Sequence, residues 1–233
     1  MQALLKGAAL STLVLLAGVA SAASITLTTG PDGGVVGSGN WGNDFRIESG
    51  YTQNGNIYTY AYTISSNTLG QNGYAPLQGD LSHFILEVSL GFTLDEIVIP
   101  GTLWTSHDYE EDSPELGDWD QSQGNSNPGI PTTLHGIKID LDEDTGVFSF
   151  SFDSYRIPML GSFYAKGGRT GGPGGGDWNY AYNTGLDGGD DFIWVPNTET
   201  VVPEPATMTL LGMGIGGLAL MRRRKAANKA ATK

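Results

Sequence analysis

The sequence predicts an all-β fold, an antiparallel β-sandwich of jelly-roll-like build, and three observations lead there. Apolar residues recur at every second position in several short runs. Between Ala23 and Val202 stand 29 glycines in 180 residues, roughly twice the usual share of about 7%. Outside the two ends of the chain, no twelve-residue window keeps a helical period.

The runs follow in order. "SITLTT" and "DFRIES" come first. "NIYTYAYTIS" sets Tyr58, Tyr60, Tyr62 and Ile64 on one face, with Ile57, Thr59, Ala61 and Thr63 on the other. "SHFILEVSLG" and "DEIVIP" are rich in β-formers and bounded by turn residues. "HGIKIDL" aligns Ile137, Ile139 and Leu141, and "GVFSFSFD" aligns Phe148, Phe150 and Phe152. "SFYAK" and "DFIWV" close the series. Eight to ten strands joined by glycine-rich turns make a sandwich, with a barrel as the other closure. Residues 105–133 and 167–191 lack such patterning and read as long loops.

The ends differ in kind. Lys6, the apolar stretch "GAALSTLVLLAGVASA" and the small pair Ala20 and Ala22 follow the order of a secretory signal peptide. Residues 1–22 are therefore expected to be removed by the secretion machinery, leaving 23–202 as one exported ectodomain. Near the other end, Pro203, Glu204 and Pro205 precede an uncharged apolar run at 206–221, and Arg222, Arg223 and Arg224 close it. Sixteen residues make a helix of about 24 Å at 1.5 Å per residue, short against a hydrocarbon core of about 30 Å. Snorkelling arginines can make up the difference. The arginines would remain cytoplasmic under the positive-inside rule, placing the two prolines at the outer membrane face. There they hold the chain extended.

This succession of proline-flanked glutamate, glycine-studded transmembrane helix and basic tail over residues 203–233 resembles the PEP-CTERM sorting signal. The resemblance implies an exosortase as partner, transient anchoring in the inner membrane of a bacterium, and delivery to the cell surface or extracellular matrix. "LSHFILEVS" and "FYAKGG" resemble stretches that recur in β-rich ectodomains carried ahead of this signal, and they bring no catalytic residues with them.

Charge narrows the function further. All 25 acidic residues lie between Ala23 and Pro205, accompanied by only five basic ones, Arg46, Lys138, Arg156, Lys166 and Arg169, so this region carries −20. Such a surface excludes nucleic acid as a partner. The chain has no cysteine, which removes disulfides and thiol chemistry.

No catalytic constellation is recognisable, and the reading is non-catalytic. In "DLDEDTG", Asp140, Asp142 and Asp144 alternate like the first ligands of a calcium loop. Gly146 falls one place late, however, and Ser151 stands where the closing glutamate belongs. A hairpin turn explains the stretch without metal. The acids of "HDYEEDSPELGDWDQ" read as a solvated run. His83, His107 and His135 have no ligand spacing, and no cofactor is expected. Trp41, Trp104, Trp119 and Trp178 fall in or near turns, where exposed rings could stack on sugars, while Trp194 reads as core. The leading expectation is a structural or binding role on extracellular polysaccharide. The alternatives are a glycoside-hydrolase-like enzyme, which needs two carboxyls across a cleft, and a calcium-stabilised adhesin.

Overall fold

A computed structural model describes residues 22–68, 75–98, 114–141, 147–171 and 174–200. It contains thirteen strands and four short 3-10 helices, and no α-helix among the described residues. The strands are β1 (Ala22–Thr29), β2 (Gly34–Ser38), β3 (Arg46–Asn54), β4 (Ile57–Ser65), β5 (Leu81–Glu87), β6 (Ile97–Val98) and β7 (Glu115–Trp119). They continue as β8 (Leu134–Asp140), β9 (Phe148–Ser154), β10 (Arg156–Gly161), β11 (Phe163–Arg169), β12 (Trp178–Asn183) and β13 (Ile193–Thr200).

Eleven strands run in the order β6-β9-β4-β3-β1-β2-β12-β11-β5-β8-β7. The continuity is interrupted at its middle. β1 and β2 touch in parallel through two residue pairs, Thr28 with Gly34 and Thr29 with Val35, whereas every other pairing is antiparallel. The chain gets from β1 to β2 through a tight double reversal in which Thr28 N–H donates to the Gly33 carbonyl at 2.7 Å. Asp32 there takes a left-handed φ of 59°, and a side chain at Gly33 would run into the Thr28 carbonyl. This junction divides the strands into sheet I (β6-β9-β4-β3-β1) and sheet II (β2-β12-β11-β5-β8-β7).

The alternation seen in the sequence decides what lies between the sheets. Tyr60, Tyr62 and Ile64 of β4 and Phe148, Phe150 and Phe152 of β9 are buried. The β4–β9 register sets Tyr60 beside Phe152 and Tyr62 beside Phe150. Phe84, Phe163 and Ile137 of sheet II meet them in one core cluster. Ring contacts cross the interface, Phe84 to Phe150 at 5.5 Å and Phe84 to Tyr62 at 6.3 Å. Each such ring removed from water contributes on the order of 2 kcal/mol, so the two inner faces hold the sheets together as a sandwich.

A separate ribbon of β10 and β13 extends this core. Ile193 and Val195 enter it, and two buried phenols fasten the ribbon: Tyr60 donates to the Arg156 carbonyl and Tyr62 to the Trp194 carbonyl, each at 2.8 Å. Burial raises both phenol pKa values, so the phenols stay protonated donors.

Several expectations require correction. Thirteen strands exceed the eight to ten foreseen, and the fold is not wholly antiparallel. β7 and β12 lie inside the stretches expected to be irregular. Both are short, β7 has Gly117 at its centre and β12 follows a glycine-rich run, which dilutes a period-2 signal. The terminal apolar runs, and with them Ala20, Pro203, Glu204, Pro205 and Arg222 to Arg224, lie outside the described residues. Among the described residues no helix is long and apolar enough to cross a membrane. Ala22 opens β1 and is paired with Thr52.

Candidate functional site on the outer face of sheet II

Side chains that alternate away from the core on sheet II gather most of the chemistry in the described chain. Pairing across β8, β5, β11, β12 and β2 makes one row of Asp140, His83, Lys166, Tyr180 and Ser38. The next row holds Glu115, Lys138, Ile85, Tyr164, Tyr182 and Val36. Trp178 stands opposite Arg169 on β12 and β11, and Trp119 opposite Leu134 on β7 and β8. Three of the five basic residues between Ala23 and Pro205 thus share this face.

The segment after β7 folds across its middle. Asp120 accepts from Ser122 N–H at 2.8 Å and caps the 3-10 turn Gln121–Ser126. Asn127 is buried and bonded to His83 Nε2 at 3.0 Å, and Tyr164 donates to the Pro128 carbonyl at 2.7 Å. Gly129 has φ +74°, and a Cβ there would enter the Tyr180 ring. Ile130 completes a second core cluster with Ile85, Leu134, Tyr164, Tyr182 and Leu186. The strap therefore has an apolar foundation of its own, outside the main core.

To one side of the strap, the ammonium of Lys166 lies 4.6 Å and the guanidinium of Arg169 4.4 Å from the centre of the half-buried Trp178 ring. On the other side the Lys138 ammonium lies 5.3 Å from the Trp119 ring and pairs with Asp140. The Trp119 indole donates to the Gly136 carbonyl at 3.0 Å. Burial, then the neighbouring Lys138, lowers the Lys166 pKa, and Asp140 partly offsets this. Burial and the same two lysines push the His83 pKa down to about 3, so His83 is neutral here. It serves as a hydrogen-bonding anchor for the strap.

The tryptophans foreseen as sugar contacts divide accordingly. Trp41 is corrected outright: it is fully buried, packs on Phe45 at 5.4 Å, and its indole donates to the Gln78 carbonyl. No face of it is left for a sugar. Trp104 lies outside the described residues. Trp119 and Trp178 sit on strands rather than loops, on the same sheet face. Trp194, expected in the core, is half-buried against Tyr51 at 5.0 Å. Lys138, Lys166 and Arg169 were not singled out from sequence, although their scarcity in so acidic a region was the available signal.

Other expected sites fare differently. Asp142, Asp144 and Gly146 of the calcium-like loop lie outside the described residues, as do His107 and the first acids of the loop before β7. Of the rest, Asp118 bonds His135 at 2.6 Å and Asp120 caps the 3-10 turn. Among the described residues no three acids or histidines gather as metal ligands. The outer face of sheet I is plainer. Ser24, Gly50, Ala61 and Ser151 cross it in one row, and open depressions of about 320 and 250 Å³ lie there.

These features define the class: an all-β sandwich with one polar-aromatic face. The PEP-CTERM protein-sorting motif matches residues 201–225, so the chain carries that signal directly after β13. No curated protein and no solved structure matches the chain. The sorting motif implies an exported, membrane-transiting protein processed by an exosortase.

Proposed function

We propose that the exported domain binds extracellular polysaccharide at the cell surface or in the matrix, in a non-catalytic role, through the outer face of sheet II. The observation that carries this reading is Trp178 with two cations held over its ring. A neutral sugar would compete with those cations for the indole. A sugar bearing carboxylate or sulfate would keep them in place, pairing its anion with Lys166 and Arg169 beside the ring. The ligand class is therefore an acidic polysaccharide. The net charge opposes it at long range, but beyond about 8 Å at physiological salt that field is screened, and the local cations prevail.

The test is a glycan panel of polyuronates, sulfated glycans, neutral glucans and the host's own exopolysaccharide. Retention by the acidic members is expected, and silence across the whole panel would sink the proposal. Sorting has its own readout. Mass spectrometry of the mature protein from a host with an exosortase should find a C-terminus upstream of Lys233, and an intact tail would contradict processing.

A further inference from the structure

The ribbon of β10 and β13, with Tyr155 just ahead of it, carries a run of exposed apolar side chains, against the single Val36 on the described strands of the two sheets. Tyr155, Ile157, Met159 and Leu160 are 39 to 50% exposed. Ile157 and Met159 are two apart and Leu160 follows, so both faces of β10 present apolar groups. Among the described residues β10 pairs only with β13. Arg156 ties the neighbouring turn to the same end: it bonds the Gly91 carbonyl at 2.7 Å and Glu96 at 2.6 Å. That turn brings Leu90, 85% exposed, and Leu94 with it.

Two further facts say what covers this strip. Thr200, the last residue of β13, pairs with Arg156 at the start of β10. The uncharged apolar run of the sorting motif begins at Ala206, six residues later. Six residues span at most about 20 Å, so an anchored chain holds the start of β10 within reach of the bilayer surface. The composition agrees, since Ser154 to Ala165 contains no acidic residue. Strand addition by a second copy is disfavoured because Pro158 faces Pro196 in the ribbon and neither has an N–H to offer. A flat protein partner would also cover only one face of a strand whose two faces are both apolar.

We infer that the β10 edge is a membrane-contact element: while the sorting segment holds the chain, Tyr155, Ile157, Met159 and Leu160 rest in the interfacial layer of the outer leaflet. This orients the domain with β10 down and the outer faces of both sheets free of the membrane. Amphipathic Tyr155 suits such a layer.

The absence of cysteine makes the test direct. The full chain, reconstituted in phosphatidylethanolamine–phosphatidylglycerol vesicles, carries a single polarity-sensitive label at Met159→Cys, at Leu160→Cys, or at Thr63→Cys on sheet I as reference. Spin-labelled lipid should quench the labels at 159 and 160 at least threefold more than the label at 63, and aqueous iodide should do the reverse. Equal lipid quenching at all three positions would overturn the inference. So would a blue shift at 159 and 160 that depends on protein concentration and not on lipid, since that would assign the strip to a second copy. Two labelled positions guard against one variant misfolding, which its melting curve would show.

Discussion

The two outer faces of the sandwich began from the same rule and ended differently. Both arise from period-2 strands whose alternate side chains enter a shared core. On sheet I most outward residues are small or hydroxylated, Ser24, Thr26, Thr52, Thr59, Ala61, Thr63, Ser149 and Ser151, with the acids Glu48 and Asp153 among them. The one basic side chain there, Arg46, pairs with Glu48. On sheet II aromatics and cations, Trp119, Trp178, Tyr180, Lys138, Lys166 and Arg169, stand among outward residues that also include Asp140 and Glu115, and a strap with its own apolar cluster lies across them. Alternation alone requires only that the outward positions tolerate water. Sheet II departs from that minimum, with half-buried rings and cations and a histidine buried outside the main core, and the proposed binding rests on that departure.

The sharpest way to break this contrast is through its glycines. Gly129→Ala forces a Cβ into the Tyr180 ring at a left-handed φ, while Gly50→Ala on sheet I meets only the Ala23 carbonyl at 3.0 Å. Backbone strain of about 1–3 kcal/mol and overpacking of similar size should make the first variant about 3 kcal/mol less stable in urea unfolding. The second should lose less than about 1 kcal/mol. Equal losses would mean that the strap has no structural weight.

Next in size is acid sensitivity. His83 is held neutral in the fold, with its pKa near 3 against an ordinary value of 6.5. Above pH 6.5 neither the folded nor the unfolded state carries its proton, and His83 adds no pH dependence. As pH falls from 6.5 toward 3 the unfolded chain takes up a proton that the folded one refuses, and stability declines. The loss should reach about 2 kcal/mol by pH 5. His83→Gln should flatten this limb of the stability curve, and an unchanged slope would reject the assignment. The strands of sheet I contain no histidine to do the same.

The smallest effect concerns binding. Trp178→Ala should weaken association with an acidic polysaccharide about tenfold, the equivalent of roughly 1.4 kcal/mol. Thr63→Ala, on sheet I, should leave it unchanged. Isothermal titration of both variants decides whether the contrast between faces is functional or only compositional.

Much of the scaffold was legible because alternation is a local property. The Tyr58-to-Ile64 and Phe148-to-Phe152 patterns named inward faces that the structure uses. Trp41 was misplaced because its glycine-rich surroundings resemble a loop, while burial depends on Phe45, Gln78 and the distant Gly167 closing over it. The site was harder for the same reason. Lys138, Lys166, Arg169, Trp119 and Trp178 come to share a face only through the β7-β8-β5-β11-β12 register, and no single stretch of sequence encodes that register. β7 was hidden by its short length and its central Gly117, and β12 by its short length and the glycine run before it. The sorting signal is contiguous and was readable whole.

The most direct test of the proposed binding face uses the tryptophan indoles as reporters. In a nitrogen-15 NMR titration of the protein with an oligouronate, the indole N–H resonances of Trp119 and Trp178 should shift and saturate together. Those of Trp41 and Trp194 should stay in place. Saturable shifts confined to Trp194 or to the amides of sheet I, with Trp178 unmoved, would contradict the account.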